Sequence, residues 1–370
     1  MRIRSRAATA AFLIAIVAAP AVAVPAAAGE TATAPSVEPA GAIISASAWA
    51  VVMSPEVDEY MPEAAYAHAP GGTTTVDRTG DGNWTITWTA TIADTLPNRG
   101  NVHVSPLGST AHQCWVRSWN ASTSKIEAKV RCRNAADAST DTPFVVMWLM
   151  HESPYTADTG MRSGYAWMNV EGGSGTPNTG YQATTSGETI TSTRTEKGHY
   201  IVSMPGLERA EHVVVTSWNT DVSCRAEGWT AGAAGLDVNV VCRQMDGDPD
   251  DERFTIFAGR NVSVGAPANV WSAYAVVRKP QRTRYQLADQ NAFNNADEPV
   301  RVRRLTEGHW SLHFPGMSPG GAAIVSPLGG DATCQVARLP QTTKFLRIGV
   351  RCFAPDGTPA DNRFVVSWGR

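Results

Sequence analysis

The sequence predicts an all-β protein of three tandem antiparallel β-sandwiches, Ig-like or jelly-roll in strand order, with one disulfide in each. Three observations carry this expectation. The six cysteines form three pairs, Cys114 with Cys132, Cys224 with Cys242 and Cys334 with Cys352, each 18 residues apart and successively offset by 110 residues. Apolar residues alternate with polar ones in short runs bounded by turn signals, the period of half-buried strands. No helical period appears beyond the N-terminal segment.

The elements follow in chain order. "MRIRSRAATAAFLIAIVAAPAVAVPAAAGE" opens with Arg2, Arg4 and Arg6, continues through small apolar residues to Val24, and reaches Ala26-Ala27-Ala28. This is the layout of a secretory signal peptide over 1–28. Pro20 and Pro25 make the run a poor spanning helix, and no later segment is long and apolar enough to cross a bilayer. A secreted, extracellular chain of about 340 residues is expected, enough for two or three domains. Residues 29–45, rich in Ala, Pro and Thr, read as a tether. The repeats are placed at 46–150, 164–260 and 271–370.

Other positions keep the same step. Ile126, Leu236 and Leu346 correspond, as do Val130, Val240 and Val350. Asp141, Asp251 and Asp361 each follow the second cysteine by nine residues, and Phe144, Phe254 and Phe364 follow it by twelve. Upstream, "GNWTITW", "GHYIVSMPG" and "GHWSLHFPG" align. In "IEAKVRC", Ile126, Ala128, Val130 and Cys132 face inward. A repeat of this size holds its own core and is too large for one solenoid coil. Three such sandwiches could pack as a pseudo-trimer or as a chain of beads.

An even cysteine count in an exported chain points to disulfides, and a hairpin between the members of each pair sets them opposite one another. The expected bonds are Cys114–Cys132, Cys224–Cys242 and Cys334–Cys352. There is no CxxC, and no histidine keeps the cysteine register in all three repeats, so neither redox nor zinc chemistry is suggested. His309 and His313 share a strand face in the third repeat alone. "LPQTT" at 339–343 lacks the glycine of a sorting signal and falls at the hairpin turn. HExxH, GxSxG, Walker and GxGxxG motifs are absent.

Three further sets of residues are candidate sites. Trp115, Arg117 and Trp119, with Trp218, could form a sugar-stacking platform: period-two spacing puts the first three on one strand face with a cation between two aromatics. The competing reading is packing, because Trp229 repeats Trp119. Asp246, Asp248 and Asp250 in "DGDPDDE" have the alternate spacing of a Ca²⁺ loop, but the loop glycine and the final glutamate are missing, and a solvated hairpin tip competes. Arg278, Lys279, Arg282, Arg284, Arg301, Arg303 and Arg304 concentrate positive charge in the third repeat and could meet a polyanion. The charge is uneven along the chain: 7 basic and 12 acidic residues in 42–158, against 13 basic and 7 acidic in 266–370. Net charge is −3, so bulk charge suggests no nucleic-acid partner.

The segment "GHWSLHFPG … CQVARL … VRCFAPDGTPADNRFVVSW" resembles a repeat of uncharacterised secreted bacterial proteins, G-x-Y/W-x-V-x-F-P-G, then C-x-V-x-x-W, then V-x-C-F-x-x-x-G-x-P-x-D-x-x-F-x-V. The resemblance covers all three repeats and is most complete in the third. It implies a shared scaffold and no particular activity. The first repeat lacks the Pro-Gly, and the third has Leu339 in place of Trp.

The expected function is therefore that of a secreted, non-catalytic protein binding a surface, glycan or protein partner, with no cofactor beyond the candidate Ca²⁺. The alternatives are a secreted hydrolase, with a site built from the 92–100 insertion or the "GGSGTPNTG" loop at 172–180, and a structural envelope component. A site unique to one repeat must break the repeat symmetry.

Overall fold

A computed structural model describes residues 45–92, 96–151, 160–218, 221–265, 271–339 and 345–370. Residues 1–28, expected as a signal peptide, all but the last residue of the expected tether, and 340–343 of "LPQTT" lie outside them.

Alternation builds an outer sheet in each unit. In Asn83–Thr89, Trp84, Ile86 and Trp88 are buried while the residues between them are half-buried, and His199–Pro205 and His309–Phe314 repeat the pattern. Asn83–Thr89 pairs with Thr74–Gly80 on one side and Lys125–Asn134 on the other, which in turn pairs with His112–Ala121. The same order recurs as Thr191–Glu196, His199–Pro205, Gly235–Arg243, Ser223–Gly232 and as Arg301–Thr306, His309–Phe314, Leu346–Phe353, Thr333–Arg338. Short edge strands, Glu59–Tyr60 and Arg284–Gln286, bring the first and third outer sheets to five strands.

All six cysteines lie in the last two strands of these sheets, paired as their spacing predicts. Cys114 is bonded to Cys132, Cys224 to Cys242 and Cys334 to Cys352, with Cα–Cα distances of 4.1, 4.0 and 4.0 Å. The register sets each cysteine directly opposite its partner, which is why one hairpin suffices to bring the two sulfurs together. Each bond is buried at the sheet's inner face and pins the edge strand to its neighbour. Their role is that of scaffold, repeated three times.

The inner sheets are all-antiparallel and pair each unit's first long strand with its last: Ser45–Val52 with Phe144–His151, Arg162–Met168 with Phe254–Arg260, and Ser272–Val277 with Phe364–Gly369. Six sheets thus form three sandwich units. Pairing of first strand with last departs from the Ig order, which keeps those strands in different sheets. The eight residues of Phe144–His151 are all buried. Phe144, Val146, Trp148 and Met150 enter the first unit's own core, while Val145, Met147 and Leu149 join a core shared with the other units. Continuous apolar runs are what a strand covered on both faces requires.

The second cover is the neighbouring units. The inner-sheet edges Asn101–Pro106, His212–Ser217 and Ala322–Pro327 pack against one another. Parallel bridges link Leu107 to Val336, Val116 to Trp218 and Ala226 to Leu328, so every unit meets both of the others. The result is a closed ring. Ser105, Thr216 and Ser326 occupy equivalent positions around its axis. Ser326 Oγ donates to Val215 O at 3.2 Å, and the hydroxyl of Thr216 meets His103 Nδ1 at 3.0 Å.

Each junction uses one repeated position differently. Trp115 Nε1 donates to Val222 O at 3.1 Å, Arg225 Nη2 pairs with Asp331 at 2.7 Å, and Gln335 Nε2 donates to Gly108 O and Thr110 O at 3.0 and 2.8 Å. The strand register also equates Trp49 with Tyr165 and Tyr274, since their partners Met147, Phe257 and Ser367 correspond.

A second triplicated contact explains the repeated aspartate. Asp141, Asp251 and Asp361 pair with Arg78, Arg194 and Arg304 and accept the backbone N–H of Gly82, Gly198 and Gly308 at 2.8, 2.9 and 3.0 Å. These glycines have positive φ; at Gly198 a Cβ would lie 2.5 Å from Cys242 O. Arg304 therefore belongs to a structural clasp and not to the basic surface expected of it.

Candidate functional site

The aromatic platform is not open. A β-bulge between Val116 and Ser118 interrupts the alternation, so Trp115 lies opposite Arg131 and Trp119 opposite Ala128, on opposite faces. Trp119 is 6% exposed and enters the first unit's core; its ring lies 5.1–5.8 Å from Trp218, Tyr181 and Trp167. Trp115 is 2% exposed beneath the second unit, and Trp218 is 7% exposed. Arg117, the bulged residue, is exposed and donates to Asn83 Oδ1 at 3.4 Å. The expectation of a stacking face is corrected: the bulge separates its members, and its three tryptophans are buried while Arg117 is exposed.

The acidic run forms a turn. Asp246 accepts Asp248 N–H at 3.1 Å, and Asp250 is held by Lys197 at 3.0 Å and by Gln244 Nε2 at 2.6 Å. Among the described residues no three His, Cys, Asp or Glu side chains gather as metal ligands. Asp250 is turned to a lysine, which is why this run does not assemble as the Ca²⁺ loop suggested by its spacing.

The insertion and the glycine-rich loop are packing elements where described; residues 93–95 lie outside. Asn98 accepts the Tyr165 hydroxyl at 2.7 Å, and Arg99 O accepts both Trp119 Nε1 and Trp148 Nε1 at 3.1 Å. Ser174 Oγ accepts Arg194 N–H at 2.8 Å, fixing the loop to the outer sheet.

Part of the basic cluster lines a groove. A groove of about 640 Å³ runs over the outward face of the third unit's outer sheet. Arg284, Arg301, Arg303, Arg347 and His313 line it, together with Tyr285, Leu305 and others, and no carboxylate does. The strand register explains the gathering: Gln286, Arg301, His313 and Arg347 form one cross-strand row, and Arg284, Arg303 and Ser311 form the next. Alternation fixes the direction, because Val302, Leu312 and Leu346 point into the core between them. Among the described residues none of the four arginines takes part in an ion pair. Leu305 and Phe345, 42% and 43% exposed, add apolar surface, Phe345 against the His313 ring at 5.8 Å. Of the seven basic residues singled out in the sequence, Arg284, Arg301 and Arg303 line the groove. Arg278 lies over the Trp229 ring at 4.7 Å, and Arg282 over Tyr285 at 5.5 Å.

Arg347 and His313 stand apart from those seven because each sits away from the basic run in the sequence. The signal that finds them is divergence from the repeat. The equivalent row reads Thr75, Thr87, Glu127 in the first unit and Thr191, Ser203, Asp237 in the second, where Ser203 Oγ donates to Asp237 at 2.6 Å. In the third unit the acid becomes Arg347, and the row carries three basic groups. Burial first, then the Arg347 and Arg301 guanidiniums, push the His313 imidazole below its usual range. Its buried Nε2 has no hydrogen-bond partner among the described residues.

Comparison with protein-family models, curated proteins and solved structures gives no match. Among the described residues no helix is long and apolar enough to cross a membrane. The three disulfides fit an oxidising, extracellular-type environment.

Proposed function

We propose that this chain is a secreted, non-catalytic binding protein that holds an anionic ligand on the outer sheet of its third unit. One observation carries the reading: four arginines line a single groove with no carboxylate among its lining residues. Like charges at this density repel, and a fold that keeps them together gains stability when an anion arrives. Guanidinium is also the donor best suited to oxyanions, through its fork of N–H groups. The groove volume falls within the span of about 300–1,000 Å³ common for ligand sites. The second support is asymmetry, since the same row is neutral or acidic in the other two units. Paired cysteines and the leader-like N-terminal sequence support an extracellular setting.

Retention on an immobilised sulfated polysaccharide tests this. The wild-type chain should be retained at low salt and released as screening rises. Arg301→Glu/Arg347→Glu should abolish retention. Lys125→Glu/Lys129→Glu, which changes net charge equally on the first unit's outer sheet, should leave it. Equal loss in both variants would mean that overall charge, not the groove, does the binding.

A further inference from the structure

The groove holds one group that an anion site of arginines alone does not need. His313 lies between Arg301 and Arg347 in the cross-strand row. The two guanidiniums therefore stand two strand spacings apart, about 10 Å between their Cα atoms, with the imidazole midway. The charged and titratable groups facing it are Arg301 and Arg303 from one neighbouring strand, Arg347 from the other, and Arg284 and Tyr285 from the sheet edge. His309 follows the same face of its own strand, opposite Arg351. All are basic or, in Tyr285, neutral. His313 is thus a base surrounded by cations, with a buried Nε2 that has no partner among the described residues.

We infer that the groove binds a polymer bearing sulfate or phosphate ester groups, and that His313 takes up a proton from solvent on binding and donates a hydrogen bond to the ester oxygen. This rests on the anion-binding reading above. Three donors in a row suit three terminal oxygens; a sulfate or phosphate monoester offers three, a carboxylate two. A polymer rather than a small anion is favoured because a second row, Arg284 and Arg303, repeats the cationic surface. The two rows lie about 7 Å apart along the strands. Leu305 and Phe345 give the polymer backbone an apolar bed. Without ligand, the flanking guanidiniums disfavour a third positive charge. An ester bound between them removes that repulsion and adds a negative partner, so the protonated ring becomes the favoured form.

Calorimetric titration of the full chain with dextran sulfate at pH 7.5, 6.5 and 5.5 tests it. Sulfate keeps its charge throughout, so the linked proton is the protein's. The association constant should rise as pH falls, approaching about tenfold per pH unit where one proton is taken up. His313→Gln keeps a neutral donor and removes the titratable ring; its association constant should show no rise as pH falls. Dextran phosphate separates the two ester chemistries, because a phosphate monoester gains its own proton near pH 6 and should bind more weakly at pH 5.5 than dextran sulfate does. Binding that is flat with pH, or a pH dependence kept by His313→Gln, overturns the inference and leaves the anion site standing. Equal binding of a polycarboxylate such as polygalacturonate overturns the ester assignment. Absence of binding by the wild-type chain at every pH overturns the anion-site reading itself.

Discussion

His103 and His212 lie fully buried where the units meet, and desolvation pushes both imidazoles down to about 3. Each is neutral when folded. His103 meets the Thr216 hydroxyl, and His212 meets Gly259 O and Ser367 Oγ at 3.0 and 3.3 Å. An unfolded histidine binds a proton below its ordinary value of 6.5. Their contribution to stability is therefore complete above pH 6.5 and is lost as pH falls toward 3, by up to about 1.4 kcal/mol per pH unit for each ring. His103→Asn should flatten the decline of stability between pH 6.5 and 5 by about that amount per unit, read by urea unfolding at several pH values. An unchanged slope would show that His103 does not stay neutral in the fold. Residue identity is also where sequence reasoning falls short. Alternation predicts one face for Trp115 and Trp119, and a single bulged residue, Arg117, defeats that rule. Arg304 looks like its neighbours Arg301 and Arg303, yet it lies on the core-facing side of its strand and pairs with Asp361.

At the scale of elements, the arginine–aspartate–glycine clasp ties the turn of one hairpin to the chain following the second cysteine. Asp251 is pushed down to about 2, first by the Arg194 guanidinium and then by the Gly198 N–H and the Tyr200 hydroxyl. The stability from this shift is present above pH 3.8 and fades as pH falls toward 2. Asp251→Asn should cost about 2 kcal/mol in urea unfolding at pH 7, since an ion pair is replaced by neutral hydrogen bonds. Asp361→Asn should cost a similar amount, because the geometry repeats. A negligible effect in both would show that the clasp only decorates the turn. The aspartate is visible in the repeat from its spacing. Its arginine is not, since Arg194 lies 57 residues earlier and only strand pairing brings the two together. The hairpins and their cysteine pairs are legible, because alternation, turn residues and the 18-residue step are local signals.

For the whole molecule, the number of units and their all-β class can be read directly, while closure into a ring cannot. An all-apolar strand such as Phe144–His151 states that both faces are covered and leaves open what covers them. The covering is reciprocal: the shared core joins residues of all three units beside the first unit's own core. Residues 271–370 expressed alone should expose Val365, Ile324 and their neighbours, and should bind a hydrophobic dye or self-associate. A monomer of this segment that unfolds cooperatively would show that the ring contacts are dispensable.

Fusion of three sandwiches into one ring also sets valency. Three identical chains in the same arrangement would present three basic grooves and bridge separate polymer strands into a network. Here the divergence of one row confines the groove to one side of the ring. If the proposed anion binding holds, each molecule would occupy one stretch of one strand and so coat a polymer without gelling it.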